Sequence, residues 1–298
     1  MIYTLTLNPA IDYVVGLNHL QTGQINRLDR AQVVYGGKGI NVSTMLGNLG
    51  IASTALGFIA GFTGDALADG LASQGICCRF VRLPQGMTRI NIKIHADAET
   101  ELNASGPDIP ETALDLLFRQ LDELIAGDTL VLAGSVPPSL PADIYEQILA
   151  RLTGRGVRFV VDAAGELLKR TLPYRPFLIK PNHLELAELV GRALDTAGDL
   201  LQAGRDLQRL GARNILISRA DDGALLLCEN GQIYTQPAFC GQVVNSVGAG
   251  DATVAGFLAG VDEPWDKALR LACACGSATA FSAGLADKDS VEALLDQA

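Results

Sequence analysis

The sequence predicts an α/β fold: a doubly wound, mostly parallel sheet flanked by helices. Three observations predict it. Apolar runs of strand length alternate with longer segments of helical period along most of the chain. The runs Leu130-Val131-Leu132-Ala133 and Phe177-Leu178-Ile179 are continuously apolar, as buried strands are. Gly134-Ser135, Asp162, Lys180 and Ser218 fall at the ends of such runs, where open parallel sheets gather their ligands.

Taken in order, Met1–Leu7 reads as a strand, Ile40–Leu49 as a helix, Thr54–Phe58 as a strand and Asp65–Gln74 as a helix. Pro110–Ile125 is a helix with Leu114, Leu117, Leu121 and Leu124 on one side. Leu130–Ala133 is a strand, Ala142–Leu152 a helix, Phe159–Asp162 and Phe177–Ile179 strands. A helix runs on through Leu184 and Leu189. Ala197–Leu210 is a helix, Ile215–Ser218 a strand, and Asp251–Ala259 and Lys267–Phe281 are helices. Two segments break the alternation. Asp12 to Tyr35 lacks a helix, and Arg89–Asn103 reads as a hairpin. Within it, Ile90, Ile92 and Ile94 share one face, and Arg89, Asn91 and Lys93 the other.

A chain of 298 residues, 48% hydrophobic and 19% charged, is a globular composition able to bury a large core. Its formal charge of −10 argues against nucleic-acid binding. Anionic substrates must then be met by local cations, with Lys38, Arg89, Lys93 and Lys180 as candidates. No signal peptide and no membrane span of about 18 apolar residues is read, so the expected location is cytoplasmic. The six cysteines form no Cys-x-x-Cys pair and are read as small, mostly buried thiols of a reducing compartment. The three histidines lack metal-ligand spacing, and His95 and His183 are read as solvated.

The most informative stretch is Asn245-Ser246-Val247-Gly248-Ala249-Gly250-Asp251, which leads into a helix-forming run. Gly248, Ala249 and Gly250 can expose a row of backbone N–H groups, and such groups at a helix start attract phosphates. A carboxylate there repels the same anion unless it takes a proton from something beside it. That conflict points to phosphoryl transfer, against the simpler reading of Asp251 as an N-cap. Thr253 occupies the last position of a dinucleotide fingerprint, and no Gly-x-x-x-x-Gly-Lys-Ser/Thr loop exists. Gly36-Gly37-Lys38-Gly39-Ile40-Asn41 lets backbone approach a ligand and adds a cation and an amide; its plain alternative is a flexible turn. Lys180-Pro181-Asn182-His183-Leu184-Glu185 ends a strand and starts a helix. Asn182 and Glu185 form either a capping box or the outer shell of a hydrated Mg²⁺.

Together these stretches resemble the ribokinase-like (phosphofructokinase B type) carbohydrate kinases. The match begins at Asn8-Pro9-Ala10-Ile11-Asp12 and keeps the family's order to Asp251, nearly the whole chain. Thr88-Arg89-Ile90-Asn91-Ile92-Lys93 is most similar to the 1-phosphofructokinases, then to the tagatose-6-phosphate kinases. The resemblance implies one kinase domain over 1–298 with a small β-sheet lid, its strands inserted at about 12–35 and 88–104. One lid face closes on the sugar, and the other packs on a second copy in a homodimer.

The implied reaction is ATP-dependent phosphorylation of a sugar phosphate, fructose 1-phosphate to fructose 1,6-bisphosphate. Tagatose 6-phosphate and fructose 6-phosphate are the alternative acceptors. Asp251 is the implied general base, with the N–H groups from Gly248 to Gly250 as anion hole. Asp12, Gly37 and Asn41 take the sugar hydroxyls; Arg89, Lys38 and Ser135 take its phosphate. Lys180, Ser218, Gly223, Gly248 and Gly250 take ATP, and Asn182 and Glu185 hold Mg²⁺ through water. The chain departs from the family at Ala220, where a glycine is common. A non-catalytic sugar- or nucleotide-binding protein would be expected to lose Asp251 or the glycines before it, and a dinucleotide oxidoreductase would need a glycine turn where Asn8-Pro9 follows Leu7.

Overall fold

The computed structural model describes residues 1–297. The first half contains β1 (Ile2–Thr6), β2 (Ala10–Gly16), β3 (Arg30–Gly36), α1 (Lys38–Asn48), β4 (Ser53–Ile59), α2 (Gly61–Ser73), β5 (Cys77–Arg82), β6 (Arg89–His95), β7 (Thr100–Leu102), α3 (Glu111–Asp122), β8 (Thr129–Ala133) and α4 (Ile144–Leu152). There follow β9 (Arg158–Asp162), α5 (Gly165–Thr171), β10 (Leu178–Ile179), α6 (His183–Val190), α7 (Ala197–Leu210), β11 (Asn214–Ser218), β12 (Ala224–Leu227), β13 (Ile233–Gln236), α8 (Ala249–Ala259), α9 (Trp265–Ala280) and α10 (Lys288–Leu295).

Nine strands form the main sheet in the order β13-β12-β11-β10-β9-β8-β1-β4-β5. Every pairing from β11 to β5 is parallel, and only β12 and β13 pair antiparallel. The inner strands are apolar on both sides because helices cover both. Leu130 and Leu132 of β8 belong to the core packed by Leu121 of α3, Ile148 of α4 and Leu207 of α7. Val131 and Ala133 belong to the opposite core, with Met45 of α1, Phe257 of α8 and Ala272 of α9. Helix α8 is buried almost all round, which is why its sequence shows no polar face.

The lid is a separate four-stranded sheet, β3-β2-β6-β7. Its strands lie within residues 10–36 and 89–102, and β6–β7 is the expected hairpin. Register sets its faces. Asp12 pairs with Asn91 and Ala10 with Arg89, so Asp12, Asn91 and Arg89 share one face. Tyr13, Val33 and Leu102 lie on the other and are exposed.

Several readings need correction. Helix α8 starts at Ala249, and Gly248, not Asp251, is its N-cap; φ there is 83°, in the left-handed region that glycine tolerates. Strands β5, β12 and β13 and helices α5 and α10 were not read from the sequence. Cys77 and Cys240 are exposed; Cys228, Cys273 and Cys275 are the buried thiols. His183 is half-buried, with an Nδ1 that meets no partner, and His95 is half-buried beside Glu99.

Gly57 of β4 tests the sheet end that carries the site. It has φ 153°, and a Cβ there would run into the Thr6 carbonyl of β1. Gly57→Ala combines that clash with a backbone angle alanine rarely adopts, and overpacking of this kind costs about 1–3 kcal/mol. Chemical denaturation should show a loss in that range; an unchanged midpoint would mean that β1 and β4 yield easily here.

Candidate active site

Four chain segments meet beyond the C-terminal ends of the parallel strands. The first is the start of α1. Its N-cap is Gly37, and the Ile40 N–H donates to the Thr6 hydroxyl (3.1 Å), which anchors the turn on β1. Lys38 and Asn41 project from this turn. The Asn41 amide donates to Asp251 Oδ2 at 2.7 Å. The Lys38 amine meets Asp162 Oδ2 at 3.3 Å.

The second and third segments are the ends of β9 and β10. Asp162 is the last residue of β9 and lies 2% exposed. Lys180 follows β10, is 5% exposed, and its amine stands 3.3 Å from Asp162 Oδ1. Each oxygen of one buried carboxylate therefore holds a different lysine. Burial alone would raise the Asp162 pKa, but Lys180 and Lys38 hold it below the usual carboxylate value. Burial likewise works against the Lys38 charge, yet Asp162, Asp251 and Glu185 raise its pKa above the ordinary lysine value.

The fourth segment is the start of α8. The Ala249 N–H meets the Ser246 carbonyl at 3.2 Å, and the Ala252 N–H donates to the Gly248 carbonyl at 2.8 Å. Gly250 and Asp251 are thus the first-turn donors left over by helix geometry, a narrower set than the expected Gly248–Gly250 row. A Cβ at Gly250 would come within 3.2 Å of the Lys180 amine, so backbone and amine face one space. Asp251 is buried in this turn, and burial together with the Asp162 charge pushes its pKa up to about 7. The Asn41 bond and the two lysines oppose that rise.

The remaining expected residues lie around this centre. Asn182 and Glu185 form a full capping box: the Asn182 side chain accepts from the Glu185 N–H, and the Asn182 N–H donates to Glu185 Oε2, both 2.8 Å. The Glu185 charge still contributes to the raised Lys38 pKa. Ser218 bridges in parallel to Asn182 at the end of β11. Gly223 closes the turn into β12, where a Cβ would press on Gln236, Pro237 and Ala238. Ala220 in the same turn has φ 48°, a left-handed angle that suits the glycine common at that position.

Lys38 and Ser135 also line a cleft of about 660 Å³, together with Glu166 and Arg170. Asp12 accepts from the Asn91 amide (2.8 Å) on the lid. Arg89 sits beside them, but its guanidinium donates to the Asn8 carbonyl (2.9 and 3.2 Å) and the Ala104 carbonyl (3.2 Å). It reaches any ligand only with its remaining N–H groups. Lys93 pairs with Glu101 across the lid hairpin at 2.6 Å and is committed there. Direct contacts thus join Lys38, Asp162 and Lys180 in one group and Asn41 and Asp251 in another beside it, while Asp12 and Arg89 lie on the lid. Asp162 was given no role from the sequence. The signal was a carboxylate ending a buried strand, next to strand ends that carry lysines.

Comparison with known proteins accords with this geometry. The family model described as pfkB family carbohydrate kinase matches residues 1–292. A protein of Bacillus subtilis named 1-phosphofructokinase is 42% identical over 299 residues, covering 100% of this chain and 98% of its own. A D-tagatose-1-phosphate kinase of Bacillus licheniformis is 36% identical, covering 100% and 98%. Phosphofructokinase-2 of Escherichia coli, solved with substrates and products, superposes with TM-score 0.93 at 28% identity, covering 98% and 97%. Arabidopsis thaliana ribokinase shares the fold, with TM-score 0.79 at 20% identity, covering 100% and 99%. Among the described residues no helix is long and apolar enough to cross a membrane.

Asp251→Asn separates chemistry from stability. In the folded chain the Asp251 pKa rises from 3.8 to about 7, so its ionisation opposes folding. That penalty starts near the unfolded value, grows to about pH 7 and is constant above it. The variant should therefore gain Tm over wild type progressively across that window, while turnover falls roughly 10²–10⁴-fold. Wild-type kcat/KM should fall with acid below about pH 7, as the base takes up its proton. A pH-independent Tm difference, or near-normal turnover, would remove Asp251 from the base role.

Proposed function

This chain belongs to the pfkB family of carbohydrate kinases, and on that premise we propose that it transfers the γ-phosphoryl group of ATP to fructose 1-phosphate, giving fructose 1,6-bisphosphate. It is a phosphotransferase with an alcohol acceptor. The observation that carries the reading is a buried carboxylate, Asp251, in the same helical turn as Gly250, beside which the Lys180 amine stands. Base, anion donor and cation then surround one space.

In the proposed reaction Asp251 Oδ1 takes the proton of the attacking sugar hydroxyl, while Asn41 keeps Oδ2 oriented. The Gly250 and Asp251 N–H groups and Lys180 stabilise charge on the moving phosphoryl group. Ser218 and Gly223 border the nucleotide. Asp12 and the Gly37–Asn41 turn receive the sugar hydroxyls. Lys38, Ser135 and the spare donors of Arg89 receive the phosphate already on the sugar. A neutral sugar needs no such cations, and a chain of net charge −10 needs them for an anionic one.

The residues suit a hydrated Mg²⁺. Among the described residues no group of three or more His, Cys, Asp or Glu is arranged to hold a metal directly. The capping box uses Asn182 Oδ1 and Glu185 Oε2 and leaves Glu185 Oε1 for a water. When bound, the ion neutralises charge on the phosphates.

The exposed lid face of Tyr13, Val33 and Leu102 suits a second copy of this chain, and the cytoplasm suits the substrate. Tagatose 1-phosphate is the second acceptor to weigh, because the Bacillus licheniformis relative bears that name. The two ketose phosphates differ only at the C4 hydroxyl.

ADP release with fructose 1-phosphate, tagatose 1-phosphate, fructose 6-phosphate and unphosphorylated fructose tests the acceptor. Fructose 1-phosphate should give the highest kcat/KM; equal use of fructose would overturn the phosphosugar reading. Arg89→Met should raise the acceptor KM by about 10-fold, since charge-assisted bonds contribute roughly 1.5–3 kcal/mol, and leave the ATP KM nearly unchanged. Glu185→Gln should raise the Mg²⁺ concentration needed for half-maximal rate more than it raises acceptor KM. A variant that only melts earlier would reduce Glu185 to its capping role.

A further inference from the structure

At the end of the main sheet opposite the active site, a cleft of about 400 Å³ is lined by three arginines. Arg158 begins β9, Arg175 lies in the loop before β10, and Arg213 immediately precedes β11. Phe177 forms its apolar wall. The Arg158 guanidinium carbon lies 4.7 Å from the ring centroid and that of Arg213 lies 5.5 Å from it. Such stacking holds a guanidinium by its face and leaves its N–H edge free to donate.

The charges here are unevenly answered. Arg213 is committed, donating Nε and Nη2 to the two Glu229 oxygens at 2.7 Å each. Tyr174, which lines the cleft, donates its hydroxyl to Glu146 at 3.4 Å. Among the described residues neither Arg158 nor Arg175 has an ion pair or a side-chain hydrogen bond. Arg175 is also held at φ 53° and ψ 57°, its N–H bonded to the Leu172 carbonyl at 2.9 Å. That left-handed conformation favours glycine, yet an arginine stands there at the cleft edge. In a chain of net charge −10, Arg158 and Arg175, neither held in a direct ion pair although the Glu229 charge reaches Arg175, form a local reversal of the field beside one cleft.

We infer that this cleft is a second anion site, which binds a small phosphorylated dianion through Arg158 and Arg175. Planar forks with parallel N–H groups match the oxygens of a phosphate. The site is distinct from the catalytic one, since β9 separates Arg158 at its first residue from Asp162 at its last.

The chain carries its own reporter. Its single tryptophan, Trp265, has its ring 6.2 Å from Phe177. The experiment is a titration of the full chain with inorganic phosphate at constant ionic strength, followed by tryptophan fluorescence. Wild type should saturate, and so should Lys38→Met, whose change lies in the active site. Arg175→Gln and Arg158→Gln should each weaken the response by about 10-fold or more. Arg175 is exposed, so its variant should keep the wild-type circular dichroism and is the decisive one. A signal that never saturates, an undiminished response in Arg175→Gln, or a response abolished by Lys38→Met would overturn the proposal.

Discussion

Asp162 lies buried between the amines of Lys38 and Lys180, each 3.3 Å away, and that bridge fixes the electrostatics of the whole site. The buried Lys180 amine could not stay charged without a carboxylate beside it, and the half-exposed Lys38 reaches the same carboxylate from the other side. Removing one partner of a buried pair typically costs about 3–5 kcal/mol, because a charge is left unanswered. The bridge has a second effect. Asp162 keeps its charge, so the neighbouring Asp251 feels both burial and a like charge, and its pKa rises to about 7. One carboxylate is kept ionised and the other is displaced towards neutral pH, the displacement that the proposed base role of Asp251 would use.

The main sheet and the glycine-bordered turns were legible because buried parallel strands and helix starts have strong local signatures. Leu130–Ala133 is apolar throughout, and Gly248-Ala249-Gly250-Asp251 marks a helix entry. The elements missed were those whose pattern depends on partners elsewhere. Strand β5 is an edge strand with an uneven burial pattern, and β12 and β13 pair antiparallel at the opposite edge. The start of α8 is read two residues late, at Asp251 rather than Ala249, because Gly248-Ala249-Gly250 looks like loop, whereas Gly248 is the left-handed N-cap of the helix. Arg89 and Lys93 looked like free cations on a polar strand face. Their commitments to Asn8, Ala104 and Glu101 are tertiary contacts that no local pattern encodes. Asp162 was visible as a strand end, but its two lysines come from Lys38 and Lys180, distant in sequence.

Polarity of the strands divides the molecule into two ends of different character. At the C-terminal ends, buried Asp162, Asp251 and Lys180 are interleaved with the half-exposed Lys38, and the pKa values of both carboxylates and of Lys38 are displaced. At the N-terminal ends of β9 and β11, Arg158 and Arg213 stack on Phe177, Arg213 held by Glu229 and Arg158 without an ion-pair partner. The first arrangement suits chemistry, where a proton must move at neutral pH. The second suits binding, where a fixed cation meets an anion and nothing titrates.

The lid and the base are coupled through very few residues. Strand β3 ends at Gly36, whose missing Cβ leaves room for Asp12 Oδ2, which a Cβ there would meet at 2.9 Å. The next residue, Gly37, is the N-cap of α1, and its carbonyl accepts from the Asn41 N–H at 2.9 Å. Asn41 in turn holds Asp251 at 2.7 Å. A shift of β3 would therefore reach the turn that holds Asp251. Under the proposed function, Asp12 on the acceptor side and Asp251 as the base share one short stretch of backbone, so closure of the small sheet on a sugar would favour proton transfer over attack by water. The two glycines at this junction follow from the same constraint, since a side chain at Gly36 would press on Asp12 and one at Gly37 would press on Thr6.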